Sequence, residues 1–315
     1  MIVVTGGAGF IGCNLVRALN ACGKDDVVVV DDLTDGRKFR NLVGSDISDY
    51  WDKDVLLERL RRRGAAKPEA VFHQGACAVT TEWNGRYMMD VNYRYSVELL
   101  EHCLAERVPL IYASSAAVYG ASDVFIEDDA SVERPLNVYG YSKLLFDRYM
   151  QRRLAGAESQ VAGLRYFNVY GPGEAHKERM ASIVLHLHRQ VGEDGEARLF
   201  DGHGGYAAGE QRRDFIHVDD VVRVNLWLLE HPEVSGVFNV GTGRSATFNE
   251  VARAVIDWHG RGIIRYIPFP QELEGSYQSF TQADIGALRA AGYEGEFMNV
   301  GAGVPAYLDA LRRDP

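Results

Sequence analysis

Cysteine is scarce in this chain, with four residues in 315, no C-x-x-C pair and no Cys/His grouping at ligand spacing. That excludes a zinc site of the usual kind, and Cys13, Cys22, Cys77 and Cys103 are expected to be reduced, mostly buried thiols. Long hydrophobic runs are missing: stretches such as "DVVVVDD" stop far short of the roughly 20 residues that a bilayer span needs. Positive charge is also in deficit. The chain carries 34 Lys and Arg against 44 Asp and Glu, a formal net charge of -10, which argues against a nucleic-acid partner. The one dense basic run, "LRRRGAAK" (60–67), reads as a solvated helix end. "MIVVTGG" shows no basic n-region, apolar stretch or cleavage site, so a cytoplasmic location without a membrane partner is expected. Repeats and low-complexity tracts are absent too.

What is present is ordinary for a globular protein, with 46% hydrophobic and 25% charged residues. "MIVVT", "DVVVVD", "AVFHQ", "PLIYAS" and "QVAGLRYFN" are short β-branched runs, apolar on both faces, as buried parallel strands are. "FIGCNLVRALNA" and "YRYSVELLEHCLAE" between them space apolar residues by three and four, as amphipathic helices do. This alternation predicts an α/β fold: a Rossmann-type doubly wound parallel sheet with a smaller, mostly C-terminal substrate domain. Residues 1–168, with 214–243 returning to the sheet, are expected to bind a dinucleotide. Residues 169–213 and 244–315 are expected to form the substrate domain.

"VTGGAGFIG" satisfies the glycine fingerprint twice, through Gly7, Gly9 and Gly12 or through Gly6, Gly9 and Gly12. Glycine permits the tight turn and lets backbone N–H groups approach a pyrophosphate at a helix N-terminus. The next strand ends in Asp31, about 20 residues on, as the motif requires. Asp31 could accept from a ribose 2′-hydroxyl, which favours NAD. Lys38 and Lys53 could neutralise a 2′-phosphate, which favours NADP.

"NVYGYSKLLFD" offers two tyrosines to one lysine. Residues four apart share a helix face and residues two apart do not, so Tyr139 pairs with Lys143, and Tyr141 is packing or a substrate wall. A nearby cation lowers a phenol's pKa from about 10, which would suit Tyr139 to proton transfer during hydride transfer. "ASSAAVYG" follows a strand, where an α/β sheet presents its active site. Ser115, just before "AAVYG", is preferred over Ser114 as the hydroxyl that bonds the reacting oxygen.

With these residues in place, the chain resembles the extended short-chain dehydrogenase/reductase family almost throughout: "TGGAGFIG", "SSAAVYG", "YGYSK", "RYFNVYGP", "RRDFIHVDD" and "FNVGTG". The resemblance implies a permanently held NAD(P), a Ser115/Tyr139/Lys143 triad and a nucleotide-sugar substrate. "FHQGACAVTTEWNGRYMMDVN", "PLNVYGYSK", "RYFNVYGPGEAHKERMAS" and "GSYQSFTQADI" are similar to the branch that epimerises ADP-heptoses at C-6″ for the lipopolysaccharide core. That branch implies NADP as cofactor, with NAD as the alternative. It implies contacts from Gly6, Gly9, Phe10, Ile11, Gly12, Asp31, Asp32, Lys38 and Lys53. Further cofactor contacts fall on Gln74, Gly75, Ala76, Cys77, Ala78, Asn92, Lys143, Val169 and Lys177. It also implies Lys177 as a second acid/base beside Tyr139, although His176 would be the more obvious base on its ordinary pKa. Substrate contacts would fall on Asn168, Arg179, His186, Phe200, Asp201, Gly202, His203, Arg213 and Tyr277. Arg213 suits diphosphate oxygens, because a guanidinium fork matches them; pairing with Asp214 or Asp219 is its bland alternative. A homo-oligomer, a pentamer in that branch, is implied as well.

Three departures stand out. Arg179 replaces the usual serine, Asp32 replaces an asparagine and would repel a 2′-phosphate, and "DGHGGYAAGEQRRDF" is longer than the common pattern. The rival readings are a UDP-sugar 4-epimerase, which has no need of Lys177, and a non-catalytic NADP-sensing module. A 4,6-dehydratase would carry an Asp-Glu pair where Ala116 and Ala117 stand.

Overall fold

The computed structural model describes residues 1–62, 66–271 and 277–313. Part of the basic run at 60–67 lies outside the described residues. The strands are β1 Ile2–Thr5, β2 Val27–Asp31, β3 Asp49–Asp52, β4 Ala70–His73, β5 Leu110–Ser115, β6 Val161–Tyr166 and β7 Asn168–Tyr170. They continue as β8 Glu196–Phe200, β9 Arg212–Arg213, β10 Phe215–His217, β11 Gly236–Val240, β12 Ala246–Thr247 and β13 Ile263–Ile267. The α-helices are α1 Phe10–Ala21, α2 Leu56–Arg61, α3 Gly85–Met88, α4 Tyr95–Glu106 and α5 Val138–Leu154. After them come α6 Ile183–Asp194, α7 Val218–Glu230, α8 Phe248–His259, α9 Gly286–Ala290 and α10 Val300–Arg313.

Seven strands form one parallel sheet in the order β11-β6-β5-β4-β1-β2-β3. The chain leaves β1 in one direction and returns past it to β4 in the other. That reversal opens a crevice at the strands' C-terminal ends, where α/β sheets bind ligands. Every residue of β1, β2 and β4 is buried, which is why these strands read as continuous apolar runs. Successive side chains go to opposite faces. Ile2 and Val4 join Leu15, Val16 and Leu19 of α1 and Val221 and Val224 of α7. Val3, Val28 and Val30 pack with Leu99 and Leu100 of α4 and Phe146 of α5. The predicted doubly wound sheet is thus the observed one.

A third core lies outside this sheet, where α6, α8 and α10 bury Leu185, Val255 and Leu308 beside the parallel pair β8–β13. It forms the smaller C-terminal part. No described helix is long and apolar enough to cross a membrane. No cluster of three potential metal ligands occurs among the described residues, and all four cysteines are free.

Gly163 of β6 faces the Tyr112 ring of β5, and a Cβ there would lie 2.4 Å from the phenol oxygen. Overpacking of this kind costs about 1–3 kcal/mol. Gly163→Ala is therefore expected to lower the urea midpoint at unchanged m-value, with Gly156→Ala, which meets nothing within 4 Å, as the neutral control.

Candidate active site

The crevice is lined first by the loop between β1 and α1. Gly6 has φ +65°, and a Cβ on it would lie 2.6 Å from the backbone nitrogen of Gly75. A Cβ on Gly12 would stand 2.1 Å from the Gly6 carbonyl. The glycines let two loops, one after β1 and one after β4, close on each other. Helix α1 begins after Gly9 with no side-chain cap, so its first N–H groups face the crevice free to bind an anion. This cradle suits the pyrophosphate of a dinucleotide.

At the end of β2, Asp31 accepts from the Ala8 N–H at 2.8 Å and from Lys38 at 2.6 Å. Asp32 accepts from Lys53 at 2.9 Å and from the Thr34 N–H at 2.9 Å. The Thr34 hydroxyl first, and Lys53 with it, hold the Asp32 carboxyl well below the usual carboxylate range. Both lysines expected to meet a phosphate are thus spent on carboxylates.

Asn92 lies fully buried in a π-helical turn, Met89–Arg94. Its side chain accepts from the Cys77 N–H at 2.8 Å and donates to the Cys77 carbonyl at 3.0 Å and the Ser142 hydroxyl at 3.1 Å. One asparagine thereby ties the 74–78 loop to α5.

Helix α5 starts at the Asn137 cap, whose side chain accepts from the Gly140 N–H. Gly140 lets the helix rest on the turn after β5, since a Cβ there would meet the Ala117 carbonyl at 2.5 Å. That contact brings Tyr139 to Ser115. The exposed Tyr141 stands apart. Burial raises the Tyr139 phenol above its ordinary pKa, and the nearby Ser115 hydroxyl, which accepts from the Ala117 N–H at 3.1 Å, opposes it. Lys143 was expected to lower this phenol. Instead its ammonium donates to the Ala113 carbonyl at 2.9 Å, and burial, partly offset by Asp147, pulls it down to about 8.

The 175–180 turn carries Lys177, with its amine 5.2 Å from the centroid of the Phe10 ring at the start of α1. Burial lowers the amine's pKa and Glu174 raises it. His176 instead packs its Nδ1 3.3 Å from the Asn41 amide, and burial lowers its pKa. Val169 sits in β7 nearby in sequence, and Arg179 is exposed.

Among the residues expected to meet a substrate, Arg213 is buried with its guanidinium 4.9 Å from the Tyr277 ring and 5.9 Å from the Phe248 ring. Asp214 does not pair with it; it accepts from the N–H groups of Thr242, Gly243 and Ala283. No carboxylate pairs with Arg213 among the described residues, which leaves a dry cation able to bind an anion. His203 stacks on Phe269 at 3.9 Å, and Phe200 and Tyr277 pack edge-on around the same ring. Asp201 and Gly202 lead into that turn: the Asp201 N–H donates to Ile267, and Gly202 abuts Tyr206. Asn168 accepts from the Thr281 hydroxyl at 3.3 Å. His186 lies half-buried in the first turn of α6, with no hydrogen bond or ring contact to this group among the described residues.

Sequence reasoning missed the scaffold behind the triad. Arg165 and Asp147, both 0% exposed, pair at 2.9 Å. Arg165 also donates to Glu133 at 2.6 Å and to the Tyr119 hydroxyl at 3.0 Å. Asp147 accepts further from Tyr112 and from Ser114, next to Ser115. The signal was available: Asp147 follows Lys143 by the same four residues that separate Lys143 from Tyr139.

Fold and crevice together define a dinucleotide-dependent enzyme of the short-chain type, and the comparisons agree. The profile of the NAD dependent epimerase/dehydratase family matches residues 2–241, and the chain belongs to that family. Within it the chain is an epimerase of the ADP-L-glycero-D-manno-heptose 6-epimerase group. It is 58% identical to the enzyme of that name from Alkalilimnicola ehrlichii, over 100% of this chain and 98% of the relative. The crystal structure of the Helicobacter pylori enzyme of that name is 33% identical, with TM-score 0.85, over 99% of this chain and 96% of that one. The Thermus thermophilus UDP-glucose 4-epimerase, solved in complex with NAD, is 27% identical with TM-score 0.79, over 99% and 98%.

These findings correct the cofactor from NADP to NAD. The matched family is NAD dependent by description, and the Thermus relative holds NAD. The physical reason is the pairing at the end of β2, where two carboxylates cancel both lysines and would repel a 2′-phosphate. Titration of the chain freed of dinucleotide is expected to show tighter binding of NAD than of NADP, with Asp32→Asn narrowing the gap. Arg165→Met leaves Asp147 buried without its cation, a loss of about 3–5 kcal/mol. Its urea midpoint should fall well below that of Arg148→Met, whose guanidinium is exposed.

Proposed function

We propose that the chain interconverts ADP-D-glycero-D-manno-heptose and ADP-L-glycero-D-manno-heptose at C-6″, through a transient 6″-ketone re-reduced on its other face. Bound in the crevice, NAD supplies the hydride acceptor and donor, so the reaction has no net oxidation. Phe10, Ile11 and the glycines of the first loop would hold the pyrophosphate. Asp31 would meet the ribose, and Gln74–Ala78, braced by Asn92, would cover the inner end. Arg213 would take the substrate diphosphate between Tyr277 and Phe248, with Asn168, Arg179, His186 and the 200–203 turn around the sugar.

The observation that carries this reading is the half-buried amine of Lys177 at the mouth of the glycine loop. The two half-reactions present opposite faces of one carbon, so one acid/base serves them poorly. Tyr139, with Ser115 near its phenol, would serve one epimer's hydroxyl, and Lys177 the other's. Burial favours the neutral amine, the form able to take a proton. A 4-epimerase has no need of this lysine. A dehydratase would need acids after Ser115, where Ala116 and Ala117 form a plain turn. A homo-oligomer belongs to the same reading, and light scattering would test it.

Incubation with either ADP-heptose should yield the other by NMR, with UDP-glucose unchanged; conversion of UDP-glucose alone would overturn the reading. Tyr139→Phe and Lys177→Met should each lose about 10²–10⁴-fold in rate, the usual contribution of a general acid/base. With Lys143 held at about 8, its charge is present below that value and lost above it. The rate should therefore fall as pH rises through about 8, as read from the kcat/KM profile.

A further inference from the structure

The turn that carries Lys177 is fastened at one point. Glu174, 0% exposed, accepts from the Ser182 N–H at 2.5 Å and the Ser182 hydroxyl at 2.6 Å. Its carbonyl accepts from the Lys177 N–H at 2.9 Å. Ser182 caps α6, so the carboxylate sits at that helix's positive end, where an anion is favoured. One residue past Lys177, Glu178 holds φ 49°, ψ -116° without being glycine, a conformation that persists only where surroundings impose it. Arg37 pairs with the Glu178 carboxylate from the turn after β2. The segment is thus pinned from both sides, with Lys177 between the pins.

We propose that Glu174 is a positioning residue for Lys177, closing the 174–182 segment from within and fixing a negative charge in the turn that carries the amine. This rests on reading Lys177 as an acid/base. Glu174 is the charge that acts on the amine; His176, next in the chain, is flanked by Lys38 and Asp35 of the 35–41 turn, and Glu178 is paired with Arg37. From α10 the Tyr307 hydroxyl faces Glu174, and Arg189 of α6 lies on the same side. Of these, Glu174 is the group that opposes burial at the amine. Burial lowers the basicity of the amine and Glu174 restores part of it, whereas a carboxylate without a fixed position would be free to close on the ammonium. Ser182 supplies that fixed position.

The test is competitive labelling of Lys177 with acetic anhydride in the full chain across a pH series, read by mass spectrometry, beside kcat/KM profiles in both directions. Glu174→Gln removes the charge and keeps the shape. Near pH 7 its Lys177 should label roughly tenfold faster, the ratio expected on losing one nearby opposite charge. The pH limb that reports Lys177 should move to lower pH in both directions. Glu174→Asp draws the charge back by one methylene and should move labelling the same way by a smaller factor; it carries the test alone if the glutamine variant does not fold. Ser182→Ala keeps the charge but loosens its hold, so the carboxylate can close on the ammonium; labelling should slow and kcat should fall. Wild-type labelling and unmoved limbs in both Glu174 variants would overturn the proposal. Lys177→Met separates the two readings. Full epimerisation there would sink the acid/base role of Lys177, whereas labelling reports on Glu174 either way.

Discussion

The active-site geometry hangs on one buried ion pair, Arg165 with Asp147. Two full charges taken out of water cost several kcal/mol each unless every lone pair and proton is met. Here each polar atom of the pair has a partner: Asp147 takes bonds from Arg165, Tyr112 and Ser114, and the other two guanidinium nitrogens donate to Glu133 and Tyr119. The partners come from β5, β6, α5 and the segment before α5. A half-satisfied version would cost more than an apolar core, so these elements are held to one register. In that register α5 lies with Tyr139 against Ser115 and with Lys143 under the end of β5. The network lies behind the triad and ties together the strand and the helix that carry it.

A second set of ion pairs shapes what the crevice accepts. Lys38 with Asp31 and Lys53 with Asp32 turn a basic-looking stretch into a nearly neutral one. Sequence inspection counted the lysines as phosphate ligands, because a cation and its partner seven or twenty-one residues away are not legible as a pair. Once folded, the parallel pairing of β2 with β3 aligns Asp31 with Asp52, next to Lys53. Cofactor choice follows from that alignment and from the family's NAD dependence. On the other wall, Glu174 and Ser182 fasten the Lys177 turn, and Arg213 lies between aromatic rings. The crevice therefore places its charges one by one, each held by a buried partner or a ring.

Parts of the site were legible from spacing alone. Tyr139 and Lys143 share a helical face because the period is 3.6 residues, and the glycine loop announces itself by residues that only a close backbone approach explains. Arg213 was legible as a candidate, but its burial between two aromatic rings was not. Asp214, its sequence neighbour, turned out to clamp Thr242, Gly243 and Ala283. His186 was proposed by resemblance, and no local pattern recommends it. Asp147, Arg165 and Glu174 were overlooked because a lone charged residue in a sequence reads as surface until the fold buries it.

The sequence by itself determined the doubly wound sheet, since strands apolar on both faces and amphipathic helices in alternation admit few other packings. It also determined where the dinucleotide loop and the tyrosine–lysine face must lie, because both depend on local periodicity and on glycine's missing side chain. Only the tertiary structure decided which charges are spent and which remain available. Lys38 and Lys53 are neutralised, Arg213 lies buried against the Tyr277 ring without a carboxylate partner among the described residues, and Lys177 is half-buried over Phe10 in the turn that Glu174 closes. Pairing and desolvation depend on neighbours distant in sequence, and a charge's chemistry is set by those neighbours more than by its own identity.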